Sequence, residues 1–346
     1  MSALTNPHSM IEVILNHVEL AALAVEGVRG SDSAAMKNDE LFIKELQQYA
    51  ADTKDKYVVK FLNNTPADAD EYVMHLLNGD LHYEGAERAV AAFVRTKRLT
   101  FKFAFTYLYG AIQFNSETLT ALILQVDPSS IAHVSTADEQ TPLHAAAQGN
   151  NQRILKMVLD AAQARHVFLL NAADVVDYTP LDAAITMQKT DNVRILLRYG
   201  ADINRQDTDG LTAVHKFIMR TSSVSDITRH TRQFFIFLLE NGADVGIVSK
   251  ANETTVQFAV SSPGIFYLNL LFELVPEQAR RIIDVQTMWS GKTALHIAVL
   301  YQKEAAVRLL LQNGANRYIR DKGGKTARDL AVQFESMELA ELLNDD

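Results

Sequence analysis

The chain has 346 residues, of which 48% are hydrophobic and 22% charged, and its formal net charge is −9. This apolar fraction supports a substantial core and argues against global disorder. The absence of cysteine excludes disulfides, thiolate metal sites and a cysteine nucleophile. The negative charge argues against nucleic acids and anionic membranes as partners, because both attract basic surfaces. The densest basic stretch is interpreted as a solvated helix end and consists of Arg95, Lys97, Arg98 and Lys102.

Residues 1–98 carry the signals of a bundle of four or five helices, which is either a separate domain or a cap fused to the region that follows. Asn6-Pro7 combines a helix cap with a proline in the first turn, and Thr65-Pro66 opens a later helix. Residues 1–7 lack a signal-peptide pattern, and no apolar run has the length of a membrane span, so we expect a cytoplasmic location without membrane insertion. Side chains that could act as an acid–base pair are His17, Glu19, Asp80, His82, Glu84 and Glu87. Charged residues near a helix start are usually solvated, so no catalytic residue is assigned.

A two-helix unit begins near residue 99 and then recurs to the end of the chain. Residues 99–131 form an irregular, more apolar first copy, in which Ser116 is the predicted start of the second helix. Six further copies align on threonines that are spaced 33 to 42 residues apart: Thr141, Thr179, Thr212, Thr254, Thr293 and Thr326. Such a period predicts stacked repeats, because one unit cannot bury its own apolar face.

The recurring residues have mechanical roles in this unit. Threonine caps a helix start, and proline suits the first turn because its missing N–H would be unused there. Leucine and alanine form the apolar stripe, with alanine keeping the first helix thin for close stacking. Each second helix is expected to end at a residue with a left-handed backbone conformation, which glycine adopts easily. The glycines at these positions are Gly200, Gly242 and Gly314.

With Thr141-Pro-Leu-His-Ala-Ala and Thr179-Pro-Leu-Asp-Ala-Ala as its clearest copies, the chain resembles an ankyrin-repeat protein from about residue 100 onwards. The resemblance implies an all-α fold: an α-solenoid of about six to seven repeats over residues 99–346, preceded by a helical domain over 1–98. The histidine of the signature is replaced in three copies, by Asp182, Gln257 and Asp329. The clearest insertion, residues 220–232, is predicted to lie between the two helices of its repeat.

Two tripeptides, Gly291-Lys292-Thr293 and Gly324-Lys325-Thr326, resemble the end of a phosphate-binding loop. The full pattern needs a glycine five positions upstream, where Gln286 and Ile319 stand instead. We therefore predict that both are turns leading into repeat helices. Metal-ligand spacings, a serine-hydrolase elbow and a dinucleotide loop are also missing from the sequence. No cofactor, metal or small-molecule ligand is predicted.

Ankyrin-repeat proteins bind partners through hairpin finger tips and the concave side of the first helices. Carried over by position, the resemblance places Tyr178, Leu211, Trp289 and Lys292 on fingers, with Met187, Met219, Arg220 and Tyr301 in the groove. Several are large and apolar, and aromatic and arginine anchors dominate interface energetics. Alternatively, inserted loops or a dimer cover these side chains.

The function predicted from these features is recognition of another protein. The alternative is an enzyme of the bacterial-effector type, in which the N-terminal domain modifies a host protein that the repeats select. The protein would then act in the host-cell cytoplasm. Nucleic-acid binding is disfavoured by the charge of the chain.

Overall fold

The structure, a computed structural model, describes residues 104–135, 137–220 and 228–344. These residues form fifteen α-helices and one 3-10 helix, with no strand among them. They belong to two compact units that meet in the sequence between Val176 and Asp177. The predicted domain at 1–98, its boundary at residue 99 and its acid–base candidates lie outside the described residues and stay predictions.

The described part of the first unit contains two helix pairs. Its elements are α1 (Ala104–Gln113), α2 (Glu117–Val126), the 3-10 helix Pro128–Ala132, α3 (Pro142–Gln148) and α4 (Gln152–Ala164). Ser116 caps α2, since its hydroxyl accepts the Leu119 N–H at 3.0 Å. The predicted start of this second helix is therefore confirmed. Helix α1 packs on both α2 and α3, as expected for a first repeat stacked on the next.

The second unit is an α-solenoid of five helix pairs. Its helices are α5 (Pro180–Thr186), α6 (Thr190–Arg198), α7 (Ala213–Arg220), α8 (Arg229–Glu240), α9 (Thr255–Ser261), α10 (Phe266–Leu274), α11 (Pro276–Arg281), α12 (Ala294–Leu300), α13 (Glu304–Gln312), α14 (Ala327–Gln333) and α15 (Met337–Leu342). The first helices of the pairs pack in series, from α5 through α7, α9 and α12 to α14. The short helix α11 is an addition that accounts for the longer spacing of its repeat.

The insertion predicted at 220–232 is shorter than expected. Helix α7 ends at Arg220 and α8 begins at Arg229, so residues 229–232 are helical rather than part of a loop. Thr228 and Thr231 form a capping box, in which the Thr228 hydroxyl accepts the Thr231 N–H at 3.1 Å. This local cap fixes the helix start. Residues 221–227 lie outside the described part of the chain.

The repeat threonine and the residue three positions later close the start of each first helix. In the second copy, His144 accepts the Thr141 N–H at 3.1 Å through Nδ1. Asp182 accepts the Thr179 N–H at 2.9 Å, and Gln257 accepts the Thr254 N–H at the same distance. The three departures from histidine, at Asp182, Gln257 and Asp329, thus retain the capping bond.

The histidine position also links neighbouring repeats. His296 Nε2 lies 3.1 Å from the carbonyl of Lys325, which belongs to the next repeat. Gln257 makes the same link, because its Nε2 donates to the carbonyls of Val285 at 2.7 Å and Lys292 at 3.2 Å. One side chain therefore caps its own helix and connects that helix to the following hairpin.

His215 lacks this second bond. Its Nδ1 accepts the Thr212 N–H at 3.1 Å, which leaves the proton on Nε2, and Nε2 is buried with no hydrogen-bond partner in the described structure. The imidazole packs edge-on against Phe258, with ring centroids 5.3 Å apart. Burial lowers the pKa of His215 to about 4, although the nearby charge of Asp207 opposes the shift.

The core combines small residues on the first helices with large residues on the second helices. Ala294 and Ala298 are fully buried on α12, where they let the adjacent first helices approach closely. Leu295 is only 1% exposed, which confirms its predicted core position. The core between α8 and α10 is aromatic: Tyr267 packs edge-on against Phe235, with ring centroids 5.2 Å apart.

Replacing Leu295 with alanine should lower the free energy of unfolding by about 2–5 kcal/mol, through lost burial and a residual cavity. Val332→Ala, on the half-exposed surface of α14, is the matched control and should change it by less than about 1 kcal/mol. Chemical denaturation followed by circular dichroism measures both. Equal denaturation midpoints for the two variants would show that Leu295 is not a core residue.

His215 should make the protein less stable in mild acid. Its folded pKa, about 4, lies below the unfolded value of 6.5, so the unfolded state binds more protons between these values. The contribution of neutral His215 is complete above pH 6.5 and is lost as the pH falls towards 4, by about 3 kcal/mol.

His215→Gln should remove this part of the pH dependence, because Gln257 fills the equivalent position with the capping bond intact. Unfolding free energies of both proteins at pH 7 and near pH 4 provide the comparison. A wild-type protein whose loss of stability in acid equals that of the variant would contradict the assignment to His215.

Candidate partner-binding surface

In the second unit, a tight hairpin precedes the first helix of each of the last four repeats. These hairpins are called fingers here. The fingers comprise residues 207–211, 249–253, 287–292 and 321–325. Each is closed by a backbone bond across its base, such as Asp321 N–H to the Lys325 carbonyl at 2.8 Å. The first side chain of each finger also accepts an N–H from the last residue, as when Asp207 Oδ1 accepts that of Leu211 at 2.8 Å.

Successive fingers are bonded to one another. The N–H of Lys250 donates to the Asp209 carbonyl at 2.8 Å, that of Met288 to Ala251 at 2.7 Å, and that of Lys322 to Ser290 at 3.0 Å. A side chain at Gly291, where φ is +67°, would lie 2.8 Å from the Lys322 backbone nitrogen. Glycine is required here both by the left-handed backbone and by the close approach of the next finger.

The two phosphate-loop-like tripeptides are turns of this kind, as predicted. In the first, all three N–H groups are used within the repeat: Gly291 donates to the Thr287 carbonyl, Lys292 to Thr287 Oγ1 and Thr293 to His296 Nδ1. In the second, residues 324–326 donate in the same way to Asp321 and Asp329. A phosphate-binding loop needs these amides free, so neither turn can bind a nucleotide in this conformation.

The ammonium group of Lys292 also faces inwards. It lies 3.5 Å from Asp321 Oδ2 on the next finger, and Lys292 is half-buried. Burial alone would raise the pKa of Asp321, but the Lys325 N–H bond and the charge of Lys292 outweigh it, so the pKa is lower than usual. This lysine of the predicted surface therefore helps to join two fingers.

Tyr178 and Leu211 are likewise half-buried. The Tyr178 ring lies under the buried ammonium group of Lys216, 4.5 Å from its centroid. That ammonium is 3.2 Å from Asp207 and 3.4 Å from Asp182, which replaces the signature histidine. Tyr178 is thus one wall of a buried ionic cluster.

Trp289 is the most prominent side chain of the fingers, with 79% of its surface exposed. This finger begins at Thr287, six positions before its repeat threonine. The fingers that begin at Asp207 and Asp321 start only five positions before theirs, so the finger of Trp289 is one residue longer. The extra residue falls in the segment Met288-Trp289-Ser290, and Met288 is exposed beside the tryptophan. The added length carries both side chains beyond the bonded base of the hairpin.

The groove candidates are exposed at the ends of the first helices. Met187 and Tyr301 occupy the C-caps of α5 and α12, and Met219 and Arg220 form the end of α7. Met187, Met219 and Tyr301 are among the exposed large apolar residues, and Arg220 is exposed as well. These four residues and Trp289 form an accessible surface, whereas Tyr178, Leu211 and Lys292 are largely engaged in internal contacts.

Phe334 and Met288 are among the exposed apolar residues that the sequence pattern did not identify. Phe334 occupies the C-cap of α14, and its position eight residues after Thr326 matches that of Tyr301 after Thr293. The same offset, applied to the last repeat, identifies it. At the corresponding place on α9 stands the small, buried Ser262, where Lys303 Nζ donates to the Val260 carbonyl at 2.6 Å. Burial lowers the pKa of Lys303.

Other kinds of site find no support in the part of the chain that the structure describes. No group of three or more histidine and acidic side chains there could hold a metal ion. None of its helices has the combination of length and apolar composition needed to cross a bilayer.

We expect no nucleotide binding by either glycine-lysine-threonine turn. Isothermal titration with Mg-ATP and Mg-GTP should show no heat of binding, because the backbone amides are already used. Lys292→Ala should only lower stability, by up to about 1 kcal/mol through the lost pairing with Asp321. Nucleotide binding that disappears in this variant would contradict the structural role of Lys292.

Comparison with known proteins agrees with this architecture. The family model described as ankyrin repeats (three copies) matches residues 108–207, 223–321 and 265–346. α-Latrotoxin-Lg1a of Latrodectus geometricus is 28% identical over 203 residues, covering 59% of this chain and 14% of the toxin. The human NF-kappa-B inhibitor epsilon is 32% identical over 96 residues, which cover 28% of this chain and 18% of the inhibitor.

A bacterial protein is matched over most of its own length. The putative ankyrin repeat protein YahD of Escherichia coli strain K12 is 29% identical over 180 residues, covering 50% of this chain and 82% of YahD. The chain spans less than a fifth of the length of the spider and human relatives. With the helix pairs, the capping boxes and the family match together, the chain belongs to the ankyrin-repeat family.

Proposed function

We propose that the protein binds another protein through the fingers and the groove of residues 177–344. The observation that carries this proposal is the exposure of Trp289 at the tip of a hydrogen-bonded finger. A buried tryptophan contributes to a core, whereas one that is 79% exposed in the free protein contributes nothing to packing. Rigid aromatic side chains of this kind are the strongest anchors of protein interfaces.

The groove supports the same function. Large apolar surfaces are presented at the ends of four of the five first helices, by Met187, Tyr301 and Phe334 eight residues after the repeat threonine and by Met219 one position earlier. Exposed apolar side chains that recur along one face are typical of an interaction surface. Because the first helices are stacked on one another, these side chains would meet a partner without a large ordering cost.

The name of one relative supports recognition of another protein. The family model begins at residue 108, and one relative is named an inhibitor of NF-kappa-B. The alternative, an effector enzyme acting through residues 1–98, gains no support from either comparison or structure. The proposal includes a cytoplasmic site of action, which agrees with a chain that lacks cysteine. It excludes nucleic acids and small molecules as the principal ligands.

Affinity capture with the full chain, followed by mass spectrometry, should identify the partner. Trp289→Ala and Tyr301→Ala should then each weaken its binding by about 1–3 kcal/mol, with little change in melting temperature. Tyr318→Ala is the matched control, because this exposed tyrosine lies outside the fingers and the groove. Calorimetry measures the affinities. Undiminished binding by both variants would refute the proposed surface, and loss of folding would place their side chains in the core.

A further inference from the structure

We infer that the fingers of residues 249–253, 287–292 and 321–325 recognise an acidic protein segment that places a large apolar side chain against Trp289. This inference rests on the proposed function and names the chemistry of the partner. The three fingers are called the basic fingers below.

The basic fingers have a net positive charge, because they contain four lysines and two carboxylates, and in the described structure only one of these lysines, Lys292, forms an ion pair, with Asp321. Lys250 and Lys322 are exposed, and neither they nor Lys325 form an ion pair with any carboxylate of the described structure. The nearby carboxylates are used internally: Asp321 is buried against the amides of its own finger, and Asp329 caps α14. The remaining carboxylate of the basic fingers, Glu253, is half-buried and accepts a hydrogen bond from the Ser249 hydroxyl at 3.3 Å, so the exposed charges of the tips are the ammonium groups of Lys250 and Lys322.

Hydrogen bonds to neutral acceptors hold the ammonium groups of Lys322 and Lys325 in place. Lys322 Nζ donates to the Met288 carbonyl at 2.5 Å, which places this ammonium beside the segment that carries Trp289. Lys325 Nζ donates to Gln333 Oε1. Both acceptors are neutral, so the charges remain available to a partner, while the long side chains are already partly ordered. This preorganisation lowers the entropy cost of binding.

Trp289 and Met288 provide the apolar half of the site. They lie on the middle finger, and backbone bonds join that finger to Lys250-Ala251 on one side and to Lys322 on the other. A row of lysines around an exposed indole fits a segment in which carboxylates flank an aromatic or aliphatic side chain. The carboxylates would steer the encounter, and contact with the indole would supply the affinity.

An acidic peptide fits this surface better than a nucleic acid or a membrane. Asp209, on the finger next to Lys250, is an exposed carboxylate that limits the basic area on that side. Charge-driven recognition of anionic lipids uses clusters of about 4–8 basic residues. Three lysines on a chain with a net charge of −9 fall short of such a cluster but suffice for a few carboxylates.

The experiment selects peptides from a display library of random short sequences on the full chain. The enriched peptides should be acidic and contain an aromatic or large aliphatic residue. Trp289 is the only tryptophan of the chain, so tryptophan fluorescence reports on this site alone. When an enriched peptide is added, the emission maximum should move to shorter wavelength. The dissociation constant should rise with salt concentration, because exposed charges are screened.

Charge reversal supplies the matched control. Lys250→Glu should weaken binding of a selected acidic peptide by about tenfold. Lys156→Glu makes the same change in net charge on the exposed face of α4 and should leave binding unchanged. Both side chains are exposed, so neither variant is expected to unfold.

The possible outcomes separate this inference from the proposed function. Enriched peptides that are neutral or basic, or acidic peptides that bind both charge-reversal variants equally, would overturn the inference. If the selected peptides lose affinity in Tyr301→Ala but not in Lys250→Glu, the groove binds protein and the basic fingers do not. A tryptophan shift caused by phosphatidylserine vesicles, with no acidic peptide enriched, would assign the basic fingers to a lipid surface and would also overturn it.

Discussion

The bond between the repeat threonine and the residue three positions later is the constraint on which the described structure depends. It satisfies N–H groups that would otherwise be unpaired at the start of each short first helix. These helices have seven or eight residues in the second unit, too few to be stable in isolation. Where the side chain is His296 or Gln257, it also bonds to the next repeat, so closure of one helix is coupled to the stacking of its neighbour.

The departure at Asp182 shows how one repeat depends on another. Aspartate caps the helix but has no donor with which to reach the next hairpin. Lys216, from the following first helix, supplies that donor and lies between Asp182 and Asp207 in a buried cluster. Removing the lysine would leave two buried carboxylates without their counter-ion, a strongly destabilising change. These two repeats are therefore not interchangeable with the others, although each contains the same helix pair.

The hydrogen bonding of the fingers determines what they can recognise. Their backbone groups are largely used for closing each hairpin and for joining it to the next, as at Gly291 and Gly324. The amides of residues 291–293 and 324–326 are used within their repeats, so these two turns can offer a partner their side chains but not these amides. The extra residue at Met288-Trp289-Ser290 therefore matters, because it lengthens one tip without disturbing the bonds at its base.

Local sequence patterns determined much of the fold. The threonine period located the first helices, Ser116 marked the start of α2, and Leu295 was assigned to the core, all as the structure shows. These features depend on backbone hydrogen bonding and on the spacing of apolar residues within a few turns, which a sequence displays directly. The same is true of the glycine-lysine-threonine turns, whose missing upstream glycine could be read from the chain.

Only the tertiary structure decided which candidate surface residues are accessible. Tyr178 and Lys292 were predicted to present their side chains to a partner, but Lys216 and Asp321, from neighbouring repeats, engage them. Trp289 stays 79% exposed, and Tyr301 stays 57% exposed although the Lys303 ammonium group lies 5.6 Å from the centroid of its ring. The start of α8 at Arg229 also depended on a threonine cap hidden in a polar, loop-like sequence. The accessibility of a side chain depends on residues distant in sequence, whereas helix-forming signals lie within a few positions of one another.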